Sequence, residues 1–210
     1  TTSAAMGIGS KSSGNSSIAI GLNTEATGSA SISYGVSNTA TGNTSTVFGR
    51  TNSGAGNSSV TFGVSNTTGR ESKVFGTDNT AISQSEVFGV LNKTTAKFAK
   101  VYGSANENVN NAAYVYGSAN KNITFSSEIY GSSNENWRST RVYGSDNVNL
   151  TGRTSASLVG QGGYIFGGQN LQTKGGNIYG SRNNITGFGD AYGKDNIITD
   201  FGLNLILGFI

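Results

Sequence analysis

The chain has 210 residues, with 14 Lys and Arg against 11 Asp and Glu, and a formal net charge of +3 at pH 7. It contains 32 Gly and no Cys, His or Pro. The lack of His and Cys excludes Ser-His-Asp, Cys-His and His-metal centres, and no Lys/Arg cluster favours nucleic acid. We therefore expect a protein that is not an enzyme, has no cofactor or metal, and does not bind nucleic acid.

Glycine recurs along the chain at a nearly constant interval of fourteen or thirteen positions, with one longer interval between Gly144 and Gly167. The residue before this glycine is aromatic in twelve repeats, and the residue two before it is mostly Val or Ile. An Asn follows the glycine after three residues, at Asn38, Asn52, Asn66, Asn79, Asn92, Asn106, Asn120, Asn134, Asn147, Asn170, Asn183 and Asn196. The chain is therefore an array of short repeats with fixed columns.

Such a repeat is too short for two helices, and its β-branched and aromatic columns favour strands. Two short strands and two tight turns fit the interval. We therefore predict an all-β fold, a parallel β-solenoid (β-roll) in which each repeat is one coil. The glycine would supply a positive φ at a corner, and the Asn column would form a structural hydrogen-bonded ladder.

Two adjacent columns of the predicted strand are both apolar. Neighbouring side chains of a strand point to opposite faces, so one column can fill the coil while the other would expose a long apolar stripe. The sequence does not say which column points inward. We predict that this strand faces a symmetry-related copy of the chain. The aromatic residues assigned to this interface or to the core are Tyr34, Phe48, Phe62, Phe75, Phe88, Tyr102, Tyr116, Tyr130 and Tyr143.

The N-terminal run NSSIAIGLNTEATGSASISYGVSNTATGNTSTVFG, residues 15–49, resembles the YadA-like head repeats of trimeric autotransporter adhesins. SIAIG at 17–21 and ATG at 26–28 are closest to that family's phrase, roughly Ser-Val-Ala-Ile-Gly-x-x-Ala-x-Ala-x-Gly. The likeness is strong over residues 1–70 and continues in the 13/14-residue rhythm. From about residue 73 aromatic residues replace Ile, and phrases such as NENVN replace Ala-x-Ala-x-Gly.

The resemblance implies a left-handed β-roll assembled as a homotrimer, with the inner sheets of three chains around one axis. It implies the extracellular head of a virulence-associated adhesin on the surface of a Gram-negative-type bacterium, anchored to the outer membrane only through parts absent from this chain. The expected partner is a host-cell or extracellular-matrix receptor bound through the outer trimer surface. Collagen, fibronectin and CEACAM-type immunoglobulin domains are the candidates that the family suggests.

Charged residues of alternating sign occupy the position three before the glycine from residue 73 onward. They are Lys73, Glu86 and Lys100, followed later by Glu128 and Arg141. One interpretation is a solvated face with pairs worth about 0–1 kcal/mol each. The other is a charge ladder that crosses between subunits and fixes their register.

Residues that depart from the columns are candidate receptor contacts, because column residues are already committed to the fold. The candidates are Phe98, Phe125, Trp137, Arg138 and Arg153. Trp137 and Arg138 are adjacent and belong to residue types common in binding hot spots. Trp137 also shares its repeat position with Val109, Ile123 and Leu150, so a role as core filler is the alternative.

The long interval between Gly144 and Gly167 predicts an irregular insertion at residues 149–165. We predict a single head domain over residues 1–210, with coils over 1–148 and again over 166–210. Loops on rigid scaffolds often carry binding sites, which is why Arg153 is among the candidate contacts.

An ice-binding or other non-catalytic surface solenoid is the alternative function. Such a surface needs two flat Thr columns repeated coil after coil. Thr39 and Thr41 begin that pattern, but Ser53 and Ala55 replace them in the next coil. The sequence therefore favours adhesion.

Overall fold

The computed structural model describes residues 2–124, 126–137, 141–150, 163–173, 176–187, 189–199 and 204–207. Over these residues the protein is an all-β parallel solenoid of about 13 turns without a helix, which confirms the predicted fold class. The chain divides into two compact units, Thr1–Ala105 and Asn106–Ile210. In each unit the odd-numbered strands form one parallel sheet, here called sheet A, and the even-numbered strands form a second, sheet B.

The first unit contains fifteen strands. Its sheet A consists of β1 (Ala4–Met6), β3 (Ile18–Leu22), β5 (Ile32–Val36), β7 (Thr46–Arg50), β9 (Val60–Val64), β11 (Lys73–Thr77), β13 (Glu86–Val90) and β15 (Lys100–Ser104). Its sheet B consists of β2 (Lys11–Ser12), β4 (Glu25–Ala26), β6 (Thr39–Ala40), β8 (Ser53–Gly54), β10 (Thr67–Arg70), β12 (Thr80–Ser83) and β14 (Lys93–Thr94).

The second unit repeats this alternation of longer and shorter strands. Its sheet A consists of β17 (Tyr114–Ser118), β19 (Glu128–Ser132), β21 (Arg141–Ser145), β23 (Tyr164–Gly168), β25 (Ile178–Ser181), β27 (Gly189–Lys194) and β29 (Asn204–Leu207). Its sheet B consists of β16 (Glu107–Asn108), β18 (Lys121–Asn122), β20 (Glu135–Asn136), β22 (Val148–Asn149), β24 (Leu171–Gln172), β26 (Asn184–Ile185) and β28 (Ile197–Ile198).

Strand pairing aligns the sequence columns from one coil to the next. Between β11 and β13, for example, Phe75 pairs with Phe88 and Gly76 pairs with Gly89. Each column of the sequence is therefore a row of identical or similar side chains running across a sheet, as the repeat predicted.

The Val/Ile column of sheet A fills the interior of the coils. Its buried members are Val47, Val74, Val87, Val101, Val115, Ile129, Val142, Ile165 and Ile178. In the first unit the buried column of sheet B is smaller: Ala26, Ala40, Gly54, Thr68, Ala81 and Thr94. The two columns meet, since the Thr61 hydroxyl donates to Thr68 Oγ1 at 2.7 Å. The core of each coil is therefore narrow and consists of about one side chain from each sheet.

In the first unit the shorter coils differ from the longer ones in their sheet B strands. Sheet B strands β10 and β12, which lie in the shorter coils, have four residues each, whereas β6 and β8 have two. Their sheet A strands all have five residues. The shorter coils therefore lack one residue in the segment that follows sheet B. The columns of sheet A keep their register.

Candidate functional site

The recurring glycine lies where each coil turns away from sheet A, and it is required by both conformation and space. Gly35 has a φ of 124°, a left-handed value that other residues rarely adopt. A Cβ at Gly35 would lie 2.0 Å from the carbonyl oxygen of Gly49 in the next coil. Two residues later a non-glycine residue such as Ser37 has a φ of 53°. The predicted positive φ at this corner is confirmed, and it is shared with the residue before the Asn.

The Asn column forms a buried ladder beside this corner. The backbone N–H and the Nδ2 of Asn52 both donate to Asn38 Oδ1, at 2.9 and 3.2 Å. The same Nδ2 donates to the carbonyl oxygen of Gly63 at 2.7 Å. In the second unit Asn134 donates to Asn120 Oδ1 in the same two ways, at 3.1 and 2.9 Å. The amides are used within the fold, which confirms the structural interpretation of this column.

A second buried Asn column occupies the interior of the second unit and was missed by the sequence analysis. It consists of Asn108, Asn122, Asn136 and Asn149, all with 0% exposure. Asn122 Nδ2 donates to Asn108 Oδ1 at 2.8 Å, and Asn149 Nδ2 donates to Asn136 Oδ1 at 2.9 Å. The signal was present in the sequence, as an Asn five residues after the glycine in four successive repeats.

The aromatic column lies on the outer face of sheet A, not in the core. In the first unit the rings of Phe48, Phe62, Phe75, Phe88 and Tyr102 stack in parallel, with centroids 4.8 to 5.2 Å apart. Interplanar angles of 1° to 4° mean that each ring covers the face of its neighbours. The stack therefore presents ring edges to the outside, so these rings do not form the core of the coil. Their place in an interface between copies stays a prediction.

Apolar side chains flank the ring stack on the outer face of sheet A in the first unit. The exposed large apolar residues there include Ile18, Leu22, Tyr34, Val36 and Val90. Tyr34, at the start of the stack, is 51% exposed. Apolar side chains therefore dominate this face in the first coils, and the ring row continues beside Lys73, Glu86 and Lys100 in the later coils. An exposed apolar stripe of this kind is expected for a strand that packs against another molecule.

The same face of sheet A in the second unit is more polar. Its ring stack contains Tyr116, Tyr130 and Tyr143, with centroids 4.8 and 5.1 Å apart. The Tyr143 hydroxyl donates to Glu128 Oε2 at 3.2 Å, and Arg141 Nε lies 3.2 Å from the same oxygen. Burial raises the pKa of the Tyr143 hydroxyl, and the negative charge of Glu128 adds to the rise. Tyrosine hydroxyls in the ring stack thus replace the phenylalanines of the first unit.

The charged column of sheet A forms ion pairs within the chain. Lys73 Nζ lies 3.3 Å from Glu86 Oε1, one coil away, and Glu86 is in register with Lys100. The Arg141 and Glu128 pair joins neighbouring coils in the same way. All four paired side chains are about one third to one half exposed, so each pair is worth at most about 1 kcal/mol. A ladder between subunits stays a prediction.

The outer face of sheet B also differs between the two units. In the first unit its outward residues in successive coils include Thr39, Ser53, Thr67 and Thr80. In the second unit Val109, Ile123, Trp137 and Leu150 form an apolar row on this face, next to the buried Asn column. Val109 is 39% exposed, and Trp137 Nε1 donates to the carboxylate of Glu135 on the same face. The alternative of Trp137 as core filler is therefore wrong, because its column lies outside the coil.

The other predicted receptor contacts are only partly described. Phe98 lies at the corner between sheet B and sheet A with a φ of 57° and is 61% exposed. Phe125, Arg138 and Arg153 lie outside the described residues, as do residues 151–162 of the predicted insertion. Phe98 belongs to the first unit and Trp137 to the second.

Carboxylates do not converge on a cation-binding geometry in the described part of the chain. Asp190 accepts hydrogen bonds from Asn177, and Asp195 pairs with Arg182 at 2.5 Å. No group of three or more His, Cys, Asp or Glu residues is placed to hold a metal among the residues described above. Within the same residues no helix is long and apolar enough to span a membrane.

The fold and its outer faces define a parallel β-solenoid with two candidate interaction surfaces. No protein-family model matches the chain, and no curated protein matches it. The proposal below therefore depends on the geometry of the coils and on the residues that carry the resemblance.

Proposed function

We propose that this chain is the head of a trimeric autotransporter adhesin. Three copies assemble as left-handed β-rolls with the outer faces of their sheets A around a common axis, on the surface of a Gram-negative-type bacterium. The observation that carries the proposal is the continuous row of stacked rings on the outer face of sheet A in the first unit, with apolar side chains beside it in the first coils. The YadA-like phrase at residues 15–49 lies in that same unit and supports the trimer over other assemblies.

The geometry of this face suits packing against copies of itself. The stacked rings present a straight row of edges at a spacing of about 5 Å, set by the coil repeat. Burying such a stripe is favourable at about 25 cal/mol per Å² of apolar surface removed from water. The polar groups of the second unit, including Glu128 and Arg141, would then set the register of the copies more than they add affinity.

The function follows from surface complementarity and involves no catalysis or cofactor. Repeated coils give a rigid platform, and three copies provide avidity when several sites engage one receptor surface. The partner is a host-cell or matrix protein, with collagen, fibronectin and CEACAM-type domains as the first to test. Phe98 is the described contact candidate of the first unit, because it is large, apolar and exposed at a corner.

Light scattering of the purified chain tests the assembly. The trimer requires a mass of about three times 21.5 kDa. Phe62→Lys and Phe75→Lys place charges in the ring stack and should reduce the mass to that of the monomer. Thr67→Lys, on the outer face of sheet B in the same unit, is the matched control and should leave the trimer intact. A monomeric wild-type chain would contradict the proposal.

Binding to immobilised collagen, fibronectin and CEACAM-type domains tests the adhesion. Phe98→Ala should weaken binding about tenfold or more if Phe98 is a hot-spot residue. Leu91→Ala is the matched control, since Leu91 is also an exposed apolar corner residue, with a φ of 56° and 59% exposure. Failure to bind the whole panel and cultured epithelial cells would count against adhesion itself.

A further inference from the structure

The outer face of sheet B in the second unit carries two parallel rows that the proposed trimer would leave uncovered. The apolar row consists of Val109, Ile123, Trp137 and Leu150, as described above. The second row, two residues earlier in each coil, consists of Glu107, Lys121, Glu135 and Val148. Strand pairing places Lys121 in register between Glu107 and Glu135.

Lys121 does not use either neighbouring carboxylate. In the same column of the first unit, Lys11 pairs with Glu25 of the next coil at 3.1 Å. Within the described residues no ion pair joins Lys121 to Glu107 or Glu135, and the Glu135 carboxylate accepts the Trp137 Nε1 instead. An exposed cation thus lies beside an apolar row that contains the single Trp of the chain.

We propose that this face binds the same face of a second copy of the chain through a two-fold axis parallel to the strands. Such a rotation keeps each row opposite its own counterpart and reverses the order of the coils. Because an isologous contact uses the same surface twice, every favourable pair in it occurs twice. Two sheets packed face to face in this way are about 10 Å apart, a distance that side chains of this size fill.

The order of charges and the extent of the apolar row together select the register of this contact. With the axis between the coils of Lys121 and Glu135, each Lys121 faces the Glu135 of the second copy. The same register places Ile123 opposite Trp137 and Val109 opposite Leu150, so the whole apolar row is covered. An axis between the coils of Glu107 and Lys121 would also pair Lys121 with a glutamate, but it would leave Trp137 and Leu150 outside the matched apolar row. An axis through the coil of Lys121 would instead place Lys121 against its own counterpart, which repulsion disfavours.

The contact is independent of the proposed receptor binding and of the trimer. It would pair two single chains, whereas a trimer carries three such faces and could join up to three other trimers, so in either case the mass would rise with the protein concentration. Light scattering over a dilution series of the wild-type chain therefore provides the first test. A mass that does not depend on concentration would overturn the proposal.

Charge-reversal variants test the face and its register. Lys121→Glu should weaken this association at least about tenfold, since each like-charge pair occurs twice. Adding Glu135→Lys should restore it, because the two reversed charges again face each other. The matched control adds Glu107→Lys instead. The glutamate introduced at position 121 then still faces Glu135 of the second copy, so this variant should not restore the association. Unchanged association of Lys121→Glu, or equal behaviour of the two double variants, would overturn the proposal and favour a different protein partner for this face.

Discussion

The backbone N–H and the side-chain amide of Asn52 both donate to one oxygen, Oδ1 of Asn38 in the preceding coil. Asn52 Oδ1 in turn accepts the same two hydrogen bonds from Asn66, at 2.9 and 3.1 Å. One buried side chain thus connects the coils on both sides of it. This relationship makes the stability of the array depend on single amides.

Asn52→Ala should lower the free energy of unfolding by about 2–4 kcal/mol, because the Asn66 N–H loses its hydrogen bond, the Asn66 amide loses one of its acceptors, and the Gly63 carbonyl loses the Asn52 donor. Chemical denaturation followed by circular dichroism measures the change. Asn57→Ala is the control, since Asn57 is exposed and its Oδ1 accepts one bond, from the N–H of Asn43. The control should cost less than about 1 kcal/mol, and equal losses would refute the role of the buried ladder.

Two adjacent glycines predict opposite responses to the same substitution. Gly167 has a φ of 125°, and a Cβ there would lie 1.8 Å from the Gly180 carbonyl oxygen. Gly168 has no positive φ, and the nearest atoms to its Cβ would be 3.4 Å away. Gly167→Ala should therefore cost about 3 kcal/mol or more, whereas Gly168→Ala should cost less than about 1 kcal/mol. Thermal unfolding of the two variants provides the comparison, and similar melting temperatures would contradict the close approach of the coils.

The narrow core predicts a compensating pair of substitutions. A Cβ at Gly54 would lie 2.5 Å from Val47 Cγ2, so Gly54→Ala should destabilise the chain by about 1–3 kcal/mol. Adding Val47→Ser reproduces the combination of Ser33 and Ala40 at the same positions of the preceding coil. The double variant should be more stable than the sum of the two single changes predicts. Additive losses in a double-mutant cycle would mean that the two sheets do not meet at this coil.

Tyrosine ionisation predicts a loss of stability at alkaline pH. Burial, with a further contribution from the Glu128 charge, raises the pKa of Tyr130 and of Tyr143 above the usual 10.0. The folded protein therefore keeps protons that the unfolded chain releases, and this stabilisation is full below pH 10.0 and is lost as the pH rises through the folded pKa. The melting temperature should be measured on both sides of pH 10.0 for the wild type and for a Tyr130→Phe, Tyr143→Phe double variant. The melting temperature of the double variant should fall less steeply as the pH rises. Equal slopes would exclude these two hydroxyls as the cause.

The repeat predicted the coil, the glycine corner and the Asn ladder because each requires one residue type at one place in every coil. The sequence could not predict which column of sheet A points inward. Side chains alternate between the two faces of a strand, but this alternation does not show which face is the inner one. The reason that the Val/Ile column and not the aromatic column points inward is visible at Val47 and Gly54. At this coil the space between the two sheets is filled by a Val that faces a Gly. A phenylalanine ring at Val47 would not fit there, so the rings lie outside.

The outer faces were harder to predict than the core. Trp137 occupies a column of apolar residues, and composition alone cannot distinguish an apolar row outside sheet B from one inside the coil. Polar residues are expected to face water, but the neighbouring Asn136 is buried. Its burial is tolerated because stacked amides in successive coils form hydrogen bonds with each other. Sequence reasoning failed where hydrogen bonds between coils made a polar residue suitable for the interior.

The constant register of sheet A across the longer and the shorter coils has a consequence for how such a chain can vary. Removing or duplicating one whole period, such as residues 64–76, would join equivalent backbone positions and leave every remaining column aligned. The array can therefore be lengthened or shortened one coil at a time, and each product should fold by the same rules as its parent.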